Sequence, residues 1–139
     1  MRWEGPAGHW VSDDRHAFDM PTVHRWLSTE SYWARGRSYE KVTRSFDHSL
    51  PLGLYDGAGT QVGVCRWVTD ETTFAWLCDV FVDPKARGGG LGVFLVASAT
   101  AHPAVTGVRL VLGTGDAHEL YRRFGFGPLV APERWMERP

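Results

Sequence analysis

The stretch best suited to chemistry is the glycine-rich run VDPKARGGGLGVFL at residues 82–95, which opens directly onto an apolar segment. That segment predicts a helix, whose first backbone N–H groups lack partners and lie at the positive end of the helix dipole. Glycines let an anion approach such N–H groups closely and permit positive φ angles. The run therefore predicts an anion site, and a diphosphate is its usual occupant.

The spacing of the glycines narrows the choice of diphosphate ligand. A Walker loop needs Lys and then Ser or Thr after its last glycine, whereas Gly92 is followed by Val93 and Phe94. A Rossmann fingerprint needs Gly or Ala three residues after Gly92, where this chain has Leu95. Both mismatches count against an ATP- or NAD-binding domain. Only direct binding of ATP or NAD would restore that interpretation.

Periodicity and capping residues predict the elements that position the loop. A first strand is expected near residues 9–12, followed by one helix with Asp19 as N-cap and a second with Ser38 as N-cap. The segments LPLGLYD, QVGVCRWVTD and TFAWLCDVFV then have the pattern of an antiparallel meander. Two helices precede the meander, and the glycine run follows it.

Beyond the loop, the chain predicts a helix that ends before Pro103, a buried strand GVRLVLG, a helix capped by Asp116 and a last strand near residues 134–137. The fold class is therefore α/β, with a mixed, mostly antiparallel central sheet flanked by helices and a βαβ crossover across the glycine loop. A length of 139 residues fits one domain over residues 1–139.

Two motifs carry a resemblance to a known family. The pattern Arg87-x-x-Gly90-x-Gly92 resembles the acetyl-CoA signature of the GNAT superfamily of N-acetyltransferases. Thirty residues on, DAHELYRRFGF is similar to the family pattern A-x-x-x-Y-x-x-x-G-F. The matching positions there are Ala117, Tyr121, Gly125 and Phe126. The likeness covers about residues 50 to 127 and implies the GNAT fold.

The resemblance implies acetyl-CoA as cosubstrate, with no metal and no redox cofactor. It implies that the backbone amides of one run bind the pyrophosphate: Arg87, Gly88, Gly89, Gly90, Leu91 and Gly92. It further implies that Phe81 and Val82 pair with the pantetheine arm as an added strand would. An amide near Val80 would stabilise the oxyanion.

Two side chains are candidate catalytic groups. Tyr121 matches the family tyrosine that donates to the CoA sulfur, although a tyrosine packed on the sheet is the alternative. Asp79 is a candidate base, but a two-residue turn at Glu71 and Thr72 would make Arg66 its diagonal neighbour, and Asp79 could simply be neutralised. Both interpretations of Asp79 stay open.

The same turn would place Cys65 opposite Cys78, as two reduced thiols packed side by side. It would also place Trp67 opposite Trp76, where the two indoles could stack, although core packing is the default role of tryptophan.

Three further residues are candidates for binding the acceptor. Tyr32 and Trp33, between the two N-terminal helices, could form aromatic walls for an amine, or could instead pack between the helices. Asp70, at the meander turn, could anchor an amine, although Asp at a strand end is more often a turn residue.

Composition excludes several other classes of function. A net charge of −1 and a pI near 6.6, without a basic run, predict no nucleic-acid or membrane partner. Two cysteines, and six histidines without ligand spacing, predict no metal site. We expect a cytoplasmic protein, and a two-fold homodimer if it associates.

The sequence thus predicts an N-acetyltransferase that moves an acetyl group from acetyl-CoA to the amine of a small molecule, by direct attack in a ternary complex. The alternative is a non-catalytic acyl-CoA-binding regulatory module, in which the loop is kept and the acceptor side serves regulation. Tyr121 favours the enzyme, whereas the uncertain base favours the module.

Overall fold

A computed structural model describes residues 1–139, in which one six-stranded sheet is the central feature. Its strands are β1 (Arg2–Glu4), β2 (Trp10–Ser12), β3 (Leu50–Tyr55), β4 (Gln61–Thr69), β5 (Phe74–Val82) and β6 (Arg109–Leu112). They lie in chain order, and all neighbours are antiparallel except β5 and β6, which are parallel. The mixed α/β fold predicted from the sequence is confirmed, including the crossover between β5 and β6.

The helices are α1 (Met20–Arg25), α2 (Tyr39–Asp47), α3 (Leu91–Thr100) and α4 (His118–Arg122), and a π-helical turn (Trp26–Glu30) extends α1. Asp19 caps α1 by accepting from the amide of Thr22, and Ser38 caps α2 by accepting from the amide of Lys41. Both caps are those expected from the sequence, because short polar side chains satisfy the orphan N–H groups at a helix start.

The sheet separates two apolar cores. One face packs against α3 and α4 and contains Leu52, Trp67, Leu77, Leu95 and Val96, among others. The opposite face packs against α1 and α2 and contains Val23, Trp26, Val42, Phe46 and Phe81, among others. Each face is covered, so the middle strands read as nearly continuous apolar runs rather than as alternating ones.

A β-bulge interrupts the pairing of β4 with β5. Two register pairs flank it: Val64 with Phe81, and Arg66 with Cys78. Between those pairs β4 has the single residue Cys65, whereas β5 has Asp79 and Val80. Asp79 takes a φ of +54°, in the left-handed region that one residue of some bulges requires.

The bulge changes the face of the sheet on which the β5 side chains beyond it lie. Ala75 and Leu77 pack in the core beside α3, whereas Phe81 packs in the core beside α1 and α2. Strict alternation would have placed all three on one face, because strand side chains repeat every second residue. The extra residue therefore returns Val80 and Val82 to the α3 side.

The register predicted for the β4–β5 hairpin is wrong by one residue. The loop is longer than the two-residue turn, since β4 ends at Thr69 and β5 starts at Phe74. The carboxylate of Asp70 organises it by accepting from the amides of Thr72, Thr73 and Phe74 and from the Thr73 hydroxyl.

The shifted register separates both predicted cross-strand pairs. Trp67 lies opposite Leu77, Trp76 lies opposite Val68, and Cys78 lies opposite Arg66 rather than Cys65. The two cysteines are both buried and both free. Trp67 and Trp76 consequently sit on opposite faces and do not stack.

Two further expectations are wrong. Asp116 does not cap α4, because the Thr114 hydroxyl accepts from the amides of Asp116 and Ala117 instead. Residues 134–137 form no strand: a 3₁₀ turn (Pro132–Arg134) leads to Trp135, whose ring packs near Phe74 and under the Arg109 guanidinium. Side-chain contacts, rather than backbone pairing, hold this tail against the sheet.

The observed register gives Trp67 and Trp76 different environments, which predicts different effects on stability when each is substituted. Trp67 is fully buried and its indole N–H donates to the Ala99 carbonyl of α3, whereas Trp76 is 48% exposed. Trp67→Phe should lower the free energy of unfolding by about 2 kcal/mol, because it leaves a cavity and an unpaired carbonyl. Trp76→Phe should change it by less than about 0.5 kcal/mol.

Urea denaturation of the two single variants and the double variant would check this. The two changes should add within about 0.5 kcal/mol, because the side chains share no contact. A larger coupling energy would contradict the observed register and favour the stacked pair.

Candidate active site

A cleft opens where β5 extends beyond the end of β6, its parallel neighbour. Pairing between the two strands ends at Leu77 with Leu112, and β6 ends there, while β5 continues to Val82. The β6 side of residues 78–82 therefore has no strand partner. The loop between β5 and α3 lies at one end of this cleft, and the start of α4 lies along it.

The glycine loop begins with a 3₁₀ turn capped by Asp83 and ends at Gly90, the N-cap of α3. No side chain caps α3, so the amides of its first turn are free to bind a ligand. Gly88 and Gly90 have φ angles of +95° and +77°, which favour glycine. Arg87 donates from Nε to the Val82 carbonyl at 2.9 Å, which fixes the start of the loop.

Two further glycines, one in this loop and one in the first turn of α3, have no structural requirement within the chain. A side chain at Gly89 or Gly92 would meet nothing within 4 Å, and neither residue has a positive φ. Glycine at these positions keeps the space in front of the helix start open. Such a cradle, which a Cβ would narrow, fits a bound diphosphate.

The cleft has two connected cavities. The first, of about 460 Å³, is formed by the glycine loop, residues 80–82 and the start of α4. The second, of about 440 Å³, extends from Leu77, Cys78 and Asp79 towards Arg37, Arg66 and Trp76. Residues common to both cavities are Tyr32, Trp33, Val80, Asp116, Ala117 and Tyr121.

Tyr121 stands at the junction of the two cavities. Its side chain is largely buried, and its ring meets the Phe126 ring edge to face at 6.1 Å. Burial, and then the nearby Cys65 and Tyr32, raise the pKa of Tyr121 to about 12. The phenol is therefore a proton or hydrogen-bond donor at neutral pH and a poor base.

The carboxylate of Asp79 is buried and surrounded by donors. Arg66 Nε donates to Oδ2 at 2.7 Å, Arg37 Nη1 donates to Oδ2 at 3.1 Å, and the Trp33 indole donates to Oδ1 at 2.8 Å. The side chain of Asp79 is only 2% exposed. This geometry favours the structural interpretation over the base, because donors from three side chains occupy the carboxylate.

The aromatic pair between α1 and α2 reaches across the cleft. The Tyr32 hydroxyl accepts from the amide of Gly115 at 2.8 Å, and the Tyr32 ring meets the Trp33 ring edge to face at 4.9 Å. Both side chains are partly exposed, so they line the cavities rather than only packing between helices.

Asp70, by contrast, does not reach the cleft. It lies at the opposite end of β5 from the glycine loop and accepts hydrogen bonds only within its own turn. Hydrogen bonds from Thr73, first through its side chain, lower the pKa of Asp70. Asp70 is thus placed as a turn residue.

Sequence reasoning did not single out Arg37 or Trp76 as site residues, although both line the second cavity. Arg37 sits in a loop without a motif and meets Asp79 across 42 positions of sequence. For Trp76, the sequence offered stacking across the hairpin as one possibility and core packing as the default role. The one feature of the sequence that pointed to Arg37 was the presence of charged residues in a short loop that is also rich in aromatic residues.

Comparisons with known proteins agree with this geometry. Residues 50–128 match the family model described as an acetyltransferase (GNAT) domain. A crystal structure of a protein assigned to the GNAT family, from Xanthomonas campestris pv. campestris, is 41% identical, with a TM-score of 0.93 over 97% of this chain and 95% of that one.

Two more distant relatives extend the comparison. A curated protein from Gibberella zeae, named as an acetyltransferase, is 28% identical over 62% of this chain and 59% of its own length. The chain thus spans less than two thirds of that relative. N-acetylglutamate synthase from Neisseria gonorrhoeae, solved with coenzyme A and N-acetyl-glutamate, shares the fold at 19% identity, with a TM-score of 0.69 over 86% of this chain and 28% of that one.

This chain belongs to the GNAT acetyltransferase family, because the family model covers more than half of it and both motifs lie at the cleft. Family membership supports acyl transfer as its activity. None of its helices has the length and apolar character needed to cross a membrane.

The role of Asp79 can be tested by removing its charge alone. Asp79→Asn keeps the size of the side chain, and Asn tolerates a φ of +54° as Asp does. It leaves Arg37 and Arg66 without their counter-ion, so the free energy of unfolding should fall by about 3 kcal/mol. Asp47→Asn, at an exposed ion pair with Arg15, is the control and should cost less than about 1 kcal/mol.

Chemical denaturation of both variants measures the difference. Wild-type stability in Asp79→Asn together with lost turnover would contradict the structural role and restore Asp79 as the base.

Proposed function

We propose that the protein transfers an acetyl group from acetyl-CoA to the amine of a small molecule, with both substrates in the cleft at once. The observation that carries this proposal is the open cradle at the start of α3, where Gly89 and Gly92 have no requirement within the chain. The position of Tyr121 at the junction of the two cavities adds to it. The fold relative from N. gonorrhoeae contains coenzyme A, which supports CoA as the acyl carrier.

In this proposal the first cavity holds the cosubstrate. The amides of the glycine loop and of the first turn of α3 bind the pyrophosphate. The unpaired backbone of Val80, Phe81 and Val82 receives the pantetheine arm as a neighbouring strand would, because no strand lies on that side. Phe81 and Val82 pair with β4 on their other edge, and the Val82 carbonyl accepts from Arg87, so the arm would use the remaining backbone groups on the β6 side.

The chain supplies two groups to the reaction. Bound acetyl-CoA supplies a thioester whose acetyl carbon bonds to the acceptor nitrogen as its C–S bond breaks. The amide of Val80, at the bulge where the β4 ladder is interrupted, stabilises negative charge on the acetyl oxygen. Tyr121 gives its proton, or a hydrogen bond, to the departing sulfur, and burial keeps the phenol protonated at neutral pH by raising its pKa.

The proposal assigns no side chain as a strong base. Asp79 is engaged with two guanidinium groups and an indole, so it positions Arg37 and Arg66 instead of accepting a proton. The acceptor amine therefore reacts in its neutral form and loses a proton to water during the transfer. The dependence of kcat/KM on pH should accordingly follow the pKa of the amine.

The second cavity receives the acceptor, between Tyr32, Trp33 and Trp76. Its volume of about 440 Å³ and partly apolar lining are typical of sites for small molecules.

Within this proposal residues 1–139 form a single cytoplasmic domain that acts as a two-fold homodimer, the commonest closed oligomer.

Cosubstrate binding can be tested with two glutamate substitutions. Gly90→Glu should weaken acetyl-CoA binding at least about 100-fold, because a carboxylate would occupy the anion site and repel the diphosphate. Gly59→Glu is the matched control: Gly59 also has a positive φ and open space, but lies in the β3–β4 turn, so it carries the same backbone strain.

Isothermal titration with acetyl-CoA, with ATP and NAD in parallel, measures the effect. Retained affinity in Gly90→Glu, or tighter binding of ATP or NAD, would contradict the assignment of the loop.

Tyr121→Phe tests the donor. Turnover should fall about tenfold or more, while the Kd for acetyl-CoA changes less than about threefold, because a general acid acts mainly in the transition state. Tyr39→Phe, an exposed tyrosine at the start of α2, is the control and should leave both unchanged.

The pH profile adds a second readout. Because burial raises the pKa of Tyr121 to about 12, turnover should show no loss near pH 10, where an ordinary tyrosine ionises. Wild-type turnover in Tyr121→Phe would remove Tyr121 from the mechanism, and acetyl-CoA binding without turnover on any amine would favour the non-catalytic module.

A further inference from the structure

The second cavity contains an excess positive charge. Arg37 and Arg66 both bind Asp79, so two guanidinium cations share one carboxylate. Trp33 donates to the same carboxylate, and the Asp79 side chain is only 2% exposed. The cluster therefore carries one uncompensated positive charge beside the cavity, and a partly buried charge without a partner is costly.

Arg37 keeps one edge of its guanidinium free. Its Nη1 contacts both oxygens of Asp79, whereas its Nε and Nη2 have no hydrogen-bond partner in the chain. Neither of these two nitrogens is fully buried, and Arg37 lines the cavity with its side chain 21% exposed. The Nε–Nη2 edge matches two carboxylate oxygens in a bidentate pair.

Arg66 is less available than Arg37. Its Nε donates to Asp79, its Nη1 donates to the Ser49 hydroxyl, and its side chain is 12% exposed. It therefore holds Asp79 in place and contributes charge, while Arg37 offers the free donors. This division makes Arg37 the residue to which a ligand would bind.

Apart from Arg87 in the glycine loop, the remaining charged residues of the two cavities are acidic and lie away from Arg37. Asp116 is in the β6–α4 loop, on the other side of the cavity, and Glu30 lines only the half that contains the glycine loop. Tyr121 lies between the two halves. An acceptor with its amine near Tyr121 and an anionic group at Arg37 would match these charges.

We propose that the acceptor is an amine that also carries a carboxylate, and that Arg37 binds this carboxylate through its free guanidinium edge. A carboxylate fits better than a phosphate monoester, because the cluster has one surplus positive charge and a phosphate monoester carries nearly two negative charges at pH 7. Trp76, 48% exposed at the mouth of the cavity, meets the rest of the acceptor. This inference rests on the proposed acetyl transfer and names its substrate class.

The experiment compares each amino acid with the amine that lacks only its carboxylate, for example tryptophan with tryptamine and tyrosine with tyramine. Every amino acid whose decarboxylated amine can be obtained is included. CoA release from acetyl-CoA is measured for each pair at equal concentration of the neutral amine. The carboxylate member of the best pair should have a kcat/KM about 30-fold or more higher, as expected of a charge-assisted bidentate contact.

Arg37→Lys is the diagnostic variant, since it keeps a cation beside Asp79 but lacks the second edge. The preference for the carboxylate should fall to about threefold or less through a higher KM for the acceptor, while the KM for acetyl-CoA is unchanged. Arg35→Gln is the control: Arg35 lies in the same loop, lines neither cavity and donates only to the Thr29 carbonyl.

Equal or faster acetylation of the plain amines by the wild-type protein would overturn the inference, as would an undiminished carboxylate preference in Arg37→Lys. A preference for aminoalkyl phosphates over amino acids would likewise overturn it. If the wild-type protein did not bind acetyl-CoA at all, that result would instead count against the proposed function. Titration with acetyl-CoA alone therefore distinguishes failure of the proposed function from failure of the proposed acceptor class.

Discussion

The extra residue in β5 is the constraint on which the rest of the site depends. It places Asp79 in a left-handed conformation, which a β-branched residue would resist more strongly than Asp does. Three donors to the Asp79 carboxylate offset that strain. The same residue shifts Phe81 to the α1 and α2 face and returns Val80 to the cleft side. A regular strand would have kept Phe81 on the same face as Ala75 and Leu77, away from the core beside α1 and α2.

The opening of the cleft and the start of α3 depend on each other. β6 is only four residues long, so β5 runs past it and has no partner from residue 78 onwards. α3 carries no charged residue and buries Leu91, Leu95 and Val96 in the sheet core, which fixes its N-terminus beside that free edge. The anion site is therefore built on rigid elements, and only the glycines before Leu91 form a loop.

Sequence reasoning succeeded where the signal was local and failed where it depended on distant pairing. The caps Asp19 and Ser38 and the glycine loop could be predicted because short polar residues and glycines act on neighbouring backbone. The hairpin register could not, because the hydrogen bonds of Asp70 lengthen the loop and the bulge has no distinctive composition. The contact of Arg37 with Asp79 could not be predicted for the same reason, since the two residues lie 42 positions apart.

The parts of the chain that the family model matches are not those that line the far side of the acceptor cavity. The matched residues, 50–128, include the glycine loop, the bulge and Tyr121. Tyr32, Trp33 and Arg37 come from the earlier segment between α1 and α2, which reaches the cleft through hydrogen bonds to Gly115 and Asp79. Arg37 lines only the second cavity, whereas Tyr32 and Trp33 line both. Within the proposed function, a change at Arg37 can therefore alter contacts with the acceptor while the cavity at the glycine loop is preserved.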